Sequence, residues 1–406
     1  MHRILVDEKK WVEEQRYLHA LNFCVLLPGP EAQKLATYVG WLLHGVRGGL
    51  AAGILFVVPG ALVILALSLL YALGRGVPAV DGALFGIKAA VLVIVVEALI
   101  RIGRRSLKTG LLIAVAGAAF VGIFFLALPF PLIVLGAALA GFLVARSAPG
   151  LLGLKIGGVA KTEPVPGRWR QAASAVAIGL VLWWTPLALA AALLGSGHVL
   201  VDIGAFFSKL AVVSFGGAYA LLAYMAQQAV ENYHWMSAAE MVDGLGLAET
   251  TPGPLILVTQ FVGFLAAYRD AAPFTPITAG IVASALTTWV TFVPPMMLIF
   301  AGAPFVEQLR ANQRLSGALA AITAAVVGVI LNLTVWFALN VLFGHVEEAR
   351  AGPLRWYAFD PLTIDLKTLA LALIAAFLAF RLHRGLIELV VVMAALGIAV
   401  RFALGL

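Results

Sequence analysis

The 406-residue chain is 62% hydrophobic and 12% charged, with a mean hydropathy of +1.02 and a net charge of +7. Soluble domains run near roughly 45–50% apolar and about 25% charged, so 20 acids and 27 bases cannot coat a water-soluble surface of this length. A cytoplasmic enzyme, a secreted disulfide scaffold and a disordered chain are excluded, and lipid must serve as much of the solvent.

Crossing the hydrocarbon core takes about 20 mostly apolar residues. Such stretches are predicted, in chain order, at 49–72, 83–100, 110–128, 130–146, 171–194, 205–224, 278–302, 317–342, 366–380 and 386–404. Two more, 17–43 and 237–268, are apolar but interrupted by Pro28-Gly29-Pro30 and Pro252-Gly253-Pro254. Helix is expected throughout, because an open strand leaves backbone groups unsatisfied in lipid and the alternation of a barrel is absent. The fold class is therefore all-α, a polytopic transmembrane bundle. Its basic residues lie in short loops, where they record orientation rather than nucleic-acid binding. The single Cys24 excludes an intrachain disulfide and any multi-cysteine metal site.

Compared with itself, the chain shows a duplication. A shift of 224 superposes the two PGP triplets, and also Trp11 on Trp235, Leu21 on Leu245, Val6 on Val230 and Met1 on Met225. After an insertion around Arg269 to Pro276 the shift becomes 235, pairing Pro59 with Pro294, Arg75 with Arg310 and Gly82 with Gly317. Duplicated halves are the usual build of a secondary transporter. The expected division is a first half over 1–146, a basic cytoplasmic loop over 147–170, an inverting linker helix over 171–194 and a second half over 195–406.

Arg101, Arg104, Arg105 and Lys108 form one basic loop, and Arg146, Lys155, Lys161, Arg168 and Arg170 another, so both read as cytoplasmic. The loop 343–362 carries Glu347, Glu348 and Asp360 against Arg350 and Arg355 and reads as external. Arg381, His383 and Arg384 read as cytoplasmic again. The halves then face opposite ways, provided each PGP segment crosses once as a broken helix. Span 205–224 precedes Met225, whose counterpart is Met1, so the first half is expected to lack one helix and the true start to lie upstream.

Each PGP element breaks its helix, since proline removes a donor and holds its predecessor extended while glycine permits unusual dihedrals. A new helix then starts near Pro30 or Pro254, and its first-turn N–H groups can hold an anion. The polar neighbours are Glu31, Gln33 and Lys34 in the first copy and Glu249, Thr250, Thr251, Thr259 and Gln260 in the second. A kink serving only packing is the plainer alternative. Ser214-Phe215-Gly216-Gly217 reads either as small residues for close helix contact or as further backbone donors where the helix unwinds. Within span 83–100, Lys88 and Glu97 each cost about 3 kcal/mol at a helix centre. Snorkelling to the interface accounts for both, and Lys88 has an anion-attracting alternative. Glu249 is a candidate proton-coupling carboxylate or a cap, whereas Glu240 and Asp243 are expected toward the interface. Enzyme motifs are absent: Lys161-Thr162 lacks the phosphate-loop glycine, there is no HExxH or GxSxG, and no cofactor or metal is expected.

Three stretches carry a resemblance to the chromate ion transporters: Leu26-Leu27-Pro28-Gly29-Pro30 with Gln33-Lys34, Val213-Ser214-Phe215-Gly216-Gly217-Ala218-Tyr219, and Gly246-Leu247-Ala248-Glu249-Thr250-Thr251-Pro252-Gly253-Pro254. The resemblance covers nearly the whole chain and implies inverted halves in the bacterial inner membrane that export chromate and confer resistance. Long members of that family typically have about thirteen spans against the twelve counted here, and a Phe-Gly-Gly-Pro motif of their first helix is absent. The implied substrate-binding set is Pro28, Gly29, Pro30, Gln33, Ser214, Gly216, Gly217, Thr250, Thr251, Pro252, Gly253 and Pro254, with Lys88 and Glu249 as coupling or electrostatic residues. Chromate, with sulfate or another oxyanion as the alternative, and membrane lipids are the expected partners, and no oligomer is indicated. An intramembrane enzyme or scaffold on the same fold is the rival of another class.

Overall fold

The computed structural model describes residues 1–74, 76–153, 168–215, 218–251, 253–305 and 313–404. Helix dominates. In chain order the helices are α1 (Glu14–Leu26), α2 (Glu31–Gly74), α3 (Pro78–Ser106), α4 (Gly110–Phe124) and α5 (Phe130–Ser147). They continue with α6 (Arg168–Leu194), α7 (Val199–Val213), α8 (Ala218–Gln227), α9 (Ala238–Thr250), α10 (Val258–Arg269) and α11 (Pro276–Gly302). After α12 (Gln313–Leu342) come a hairpin of β1 (Val346–Ala351) and β2 (Leu354–Phe359), then α13 (Leu366–Ala376) and α14 (Leu386–Leu404).

Among the described residues seven helices, α2, α3, α5, α6, α11, α12 and α14, are long and apolar enough to cross a membrane; α4 and the segment Leu255–Arg269 that includes α10 are apolar but shorter. Their ends follow local chemistry. Pro78 and Pro276 occupy first-turn positions where no N–H is needed, and Thr109 and Thr275 accept from the first-turn amides of α4 and α11. Ser237 and Glu240 form a reciprocal capping box at α9.

Two expectations are corrected. Residues 205–224 are not one helix: α7 stops at Val213, Ser214 and Phe215 are non-helical, and α8 starts at Ala218. Phe206 of α7 lies 6.0 Å from Tyr224 of α8, ring to ring, so the two arms fold back on each other. Nor do the PGP segments run on as single broken crossings. Phe23 of α1 meets Tyr38 of α2 at 5.3 Å. In the second copy Arg269, closing α10, pairs with Glu240 and donates to the Trp235 carbonyl, while Gly244 faces Phe261. Residues 29 apart in sequence meet only if the segment is a re-entrant hairpin with its triplet at the tip. The physical reason is the geometry of the break: an extended residue before proline, then glycine at positive φ, turns the chain rather than kinking it.

A second fold-back lies inside α2, where His44 and Gly45 leave helical geometry and Gly45 takes a φ of +63°. Gly40 then faces Gly48, and Thr37 faces Gly49 and Gly53. The α10–α11 turn does the same in the second half, with Phe264 against Gly280 and Thr287 against Gly263. Bounds repeat as well: α1 and α9 differ by 224 at both ends, and α3 and α12 begin 235 apart.

The long helices pack through small residues. Gly82 faces Ile398 and Gly86 faces Met393, so α3 and α14 run antiparallel, and Gly397 closes the same contact. Gly317 faces Ala145 while Gly141 faces Ala321, so α12 and α5 do likewise. Close backbone approach is what association needs where lipid removes the hydrophobic drive between helices.

The β-hairpin corrects the expectation of helix throughout. Seven of its twelve strand residues are charged or aromatic and it lies between spans, where water is available, and Gly352 supplies the φ of +60° that its tight turn requires. Arg355 is 2% exposed and locks the hairpin down. Its guanidinium donates to the carbonyls of Ile123 at 2.7 Å and Phe124 at 3.2 Å, at the C-terminal end of α4, and pairs with Glu231 at 3.3 Å.

A Cβ at Gly86 would overlap the Met393 carbonyl, whereas Gly136 faces open space. Gly86→Leu is expected to lower stability by about 3 kcal/mol or more. Gly136→Leu should leave the thermal midpoint in detergent within about 2 °C of the parent.

Candidate functional site

The first PGP tip and the α7–α8 tip meet directly, and the second PGP tip packs on α2. Leu27 is extended (φ −99°, ψ 148°), Gly29 has φ +107° and its N–H donates to the Ser214 carbonyl at 2.9 Å. The first PGP tip is thereby joined to the α7–α8 tip. Tyr219, just past that tip, donates its hydroxyl to Glu249 Oε1 at 2.8 Å, reaching the α9 arm beside the second PGP tip. Gly253 at φ +133° lies against Gly60 of α2, and Gly29 lies against Pro295 of α11. Positions 60 and 295 are 235 apart, so each tip docks on the matching part of the other half's long helix.

Of the sequence-predicted set, the structure brings Gly29 and Ser214 into direct contact and links Glu249 to the same tip through Tyr219. No hydrogen bond among the described residues joins 28–33 to 250–254. Gly216, Gly217 and Pro252 lie outside the described residues. The hydroxyls of Thr250 and Thr251 both donate to the Leu247 carbonyl, at 2.7 and 2.8 Å, and Ser214 donates to Ala211 at 2.7 Å.

The first tip carries further polar groups. The first turn of α2 begins at Glu31, directly after Pro30, and its leading amides have no intrahelical partner. Gln33 is fully buried, and among the described residues neither its amide nitrogen nor its amide oxygen has a partner. Lys34 is 1% exposed, and its ammonium reaches the Leu27 carbonyl across the break. The second tip differs in kind, because the positions matching Gln33 and Lys34 are Leu257 and Val258. Backbone geometry is duplicated, whereas the polar chemistry is not.

Sequence reasoning missed one cluster. Asp243, expected toward the interface, is fully buried. It accepts from the Tyr71 hydroxyl at 2.8 Å and pairs with Lys88 at 3.2 Å. Lys88 therefore does not snorkel freely: its charge is met by a carboxylate of the other half, which removes it as a free attractor of anions. The signal available was an acid about two turns before a helix break, in an otherwise apolar run. Glu97 does lie at the surface, 3.9 Å from Arg101. Gln260 bridges α2 and α11, donating to the Ala61 carbonyl at 2.9 Å and accepting from Thr288 at 2.9 Å. A separate cavity of about 680 Å³ between α2, α6 and α11 is walled by Leu50, Ile54, Ile178, Phe292 and Met296, a lining that favours hydrocarbon over a doubly charged ion.

A bundle of long apolar helices with re-entrant tips meeting at buried polar groups defines a multi-pass membrane transporter rather than an enzyme. Comparison with known proteins places it further. The chain belongs to the chromate transporter family, whose model matches residues 1–142 and 201–400. It is 31% identical to a chromate transport protein of Pseudomonas aeruginosa, over 81% of this chain and 73% of that one. It is 25% identical to the chromate transport protein of Cupriavidus metallidurans, over 81% and 74%. A probable chromate transport protein of Synechococcus elongatus is 27% identical over 82% and 77%. No solved structure matches the chain.

Removing Lys88 strands the fully buried carboxylate of Asp243. Lys88→Met is expected to cost about 3 kcal/mol, and the double variant Asp243→Leu/Lys88→Met to recover most of it. Chemical denaturation of the detergent-solubilised protein checks both.

Proposed function

We propose that this protein exports chromate across the bacterial inner membrane by alternating access and so confers chromate resistance. The observation that carries the reading is the first PGP tip, where leading helix amides and the wholly buried, unpartnered Gln33 amide lie together inside a member of the chromate transporter family. A tetrahedral dianion in lipid needs many donors and little fixed negative charge, and a broken helix start supplies them.

The topology supports the same reading. With α2 from Gly45 onward, α3, α4 and α5 as four crossings, the chain returns to its starting side, and α6 carries it across before the second half begins. Three re-entrant hairpins add no crossings. The halves, 1–146 and 195–406, are then inverted, with 171–194 as the linker. The basic loops 101–109, 147–170 and 381–384 fall on one side, the cytoplasmic one, and the acidic β-hairpin on the other. The first PGP hairpin enters from the cytoplasm, and the α7–α8 and second PGP hairpins from outside. Such opposed tips form a gate pair around a central ligand. Glu249, held by Tyr219, is the carboxylate positioned to couple a proton to their movement.

Export of a dianion from a negative-inside cell is electrically downhill. Each charge gains about 2.3 kcal/mol per 100 mV, so two charges gain about 4.6, which at about 1.4 kcal/mol per decade sustains a gradient above a thousandfold.

Cells expressing the protein should accumulate less chromate than empty-vector cells and grow at higher chromate. Gly29→Val should abolish the difference, because a side chain there meets positive φ and Pro295 together. Equal accumulation with and without the wild-type protein would refute export. In everted vesicles, sulfate inhibition of chromate uptake at matched concentrations would identify a general dianion carrier.

A further inference from the structure

We propose that Lys34 is the counter-charge of the substrate site, and that this one cation, present in only one of the two halves, makes the site select dianions over monoanions. The inference rests on the transport reading above and adds to it the residue that meets the charge.

Lys34 lies one turn after Pro30, and its side chain returns to the Leu27 carbonyl, the last residue before the triplet. The ammonium is thus lodged in the break itself. A lysine has three N–H donors, and among the described residues the Leu27 carbonyl is their only hydrogen-bond partner. Among the described residues no carboxylate forms an ion pair with it: Glu31, one turn earlier, is exposed and does not reach. A buried cation without a counter-ion is among the costliest arrangements a protein can hold. Two other cations show the contrast, since the half-buried Lys88 faces Asp243 and the buried Arg355 faces Glu231 and Glu348.

An independent observation points to the same place. Gln33, the adjacent residue, is fully buried, and among the described residues neither of its amide atoms has a partner. Two neighbouring polar side chains, one charged, are therefore kept incompletely paired at the start of a helix whose leading amides also face the break. A bound tetrahedral oxyanion completes all of them at once: its oxygens accept from the ammonium, the Gln33 amide and the helix amides. A dianion gains twice the Coulomb attraction of a monoanion of equal shape at such a site. The matching positions of the second half, Leu257 and Val258, contribute none of this. Substrate binding is accordingly asymmetric, centred on the hairpin that enters from the cytoplasm.

The test uses the full-length protein in proteoliposomes, with radiolabelled chromate uptake competed by the dianions sulfate and molybdate and by the monoanion perrhenate. Wild type should be inhibited by the dianions at concentrations about tenfold lower than by perrhenate. Lys34→Met should raise the KM for chromate about tenfold and erase that preference, while Lys34→Arg restores both. The thermal midpoint of Lys34→Met without ligand should equal or exceed that of wild type, because an uncompensated buried charge has been removed. A Lys34→Met protein with wild-type KM and intact dianion preference would overturn the assignment. So would a lowered midpoint with transport lost in both variants, since that marks a structural lysine. If wild type moves no chromate at all, the transport reading fails separately. The assignment of Lys34 then stands or falls on whether molybdate raises the thermal midpoint of wild type but not of Lys34→Met.

Discussion

The structure is governed by the requirement that backbone interrupted inside a membrane find partners within the protein. A break at Pro28-Gly29-Pro30 leaves amides and carbonyls with no helical neighbour, and lipid offers none. The chain meets this demand by bringing breaks together. Gly29 N–H donates to the Ser214 carbonyl, the Lys34 ammonium reaches back to Leu27, and the tip of the α7–α8 arm holds Glu249 through Tyr219. Interrupted segments thus become each other's solvent. A place where backbone polarity must be collected is also a place where an ion can be received.

Packing around the tips serves the same end. Glycines 82, 86, 141, 317 and 397 let long helices touch through their backbones, forming a rigid frame against which short hairpins are held. Gly29 on Pro295 and Gly253 on Gly60 seat each tip on the opposite half's long helix, so a movement of one half against the other must be felt at both tips. The Lys88–Asp243 pair, with Tyr71, ties the same halves together through charge, and Arg355 pins the outer hairpin to the end of α4.

The duplication is exact enough in backbone to align helix bounds and unequal in chemistry. Lys34 and Gln33 belong to one half; Glu249 and Asp243 belong to the other. Similar scaffolds with different side chains leave the two PGP hairpins chemically distinct.

Composition was sufficient to declare a lipid-solvated helical bundle, because no water-soluble surface can be made from 12% charged residues. Self-comparison was sufficient to find the duplicated triplets, because proline and glycine act on their own neighbours and leave a mark readable in one dimension. The long helices were legible for the same local reason. Whether a break kinks a crossing or turns it back was not, since that depends on which distant side chains meet, Glu240 with Arg269 or Phe23 with Tyr38. Nor was the fate of individual charges. Lys34, Lys88 and Asp243 look alike in sequence as ionisable residues in apolar runs; only their placement decides that two neutralise each other and the third stays open, because Coulomb energy is set by distance in space and by burial, not by separation along the chain.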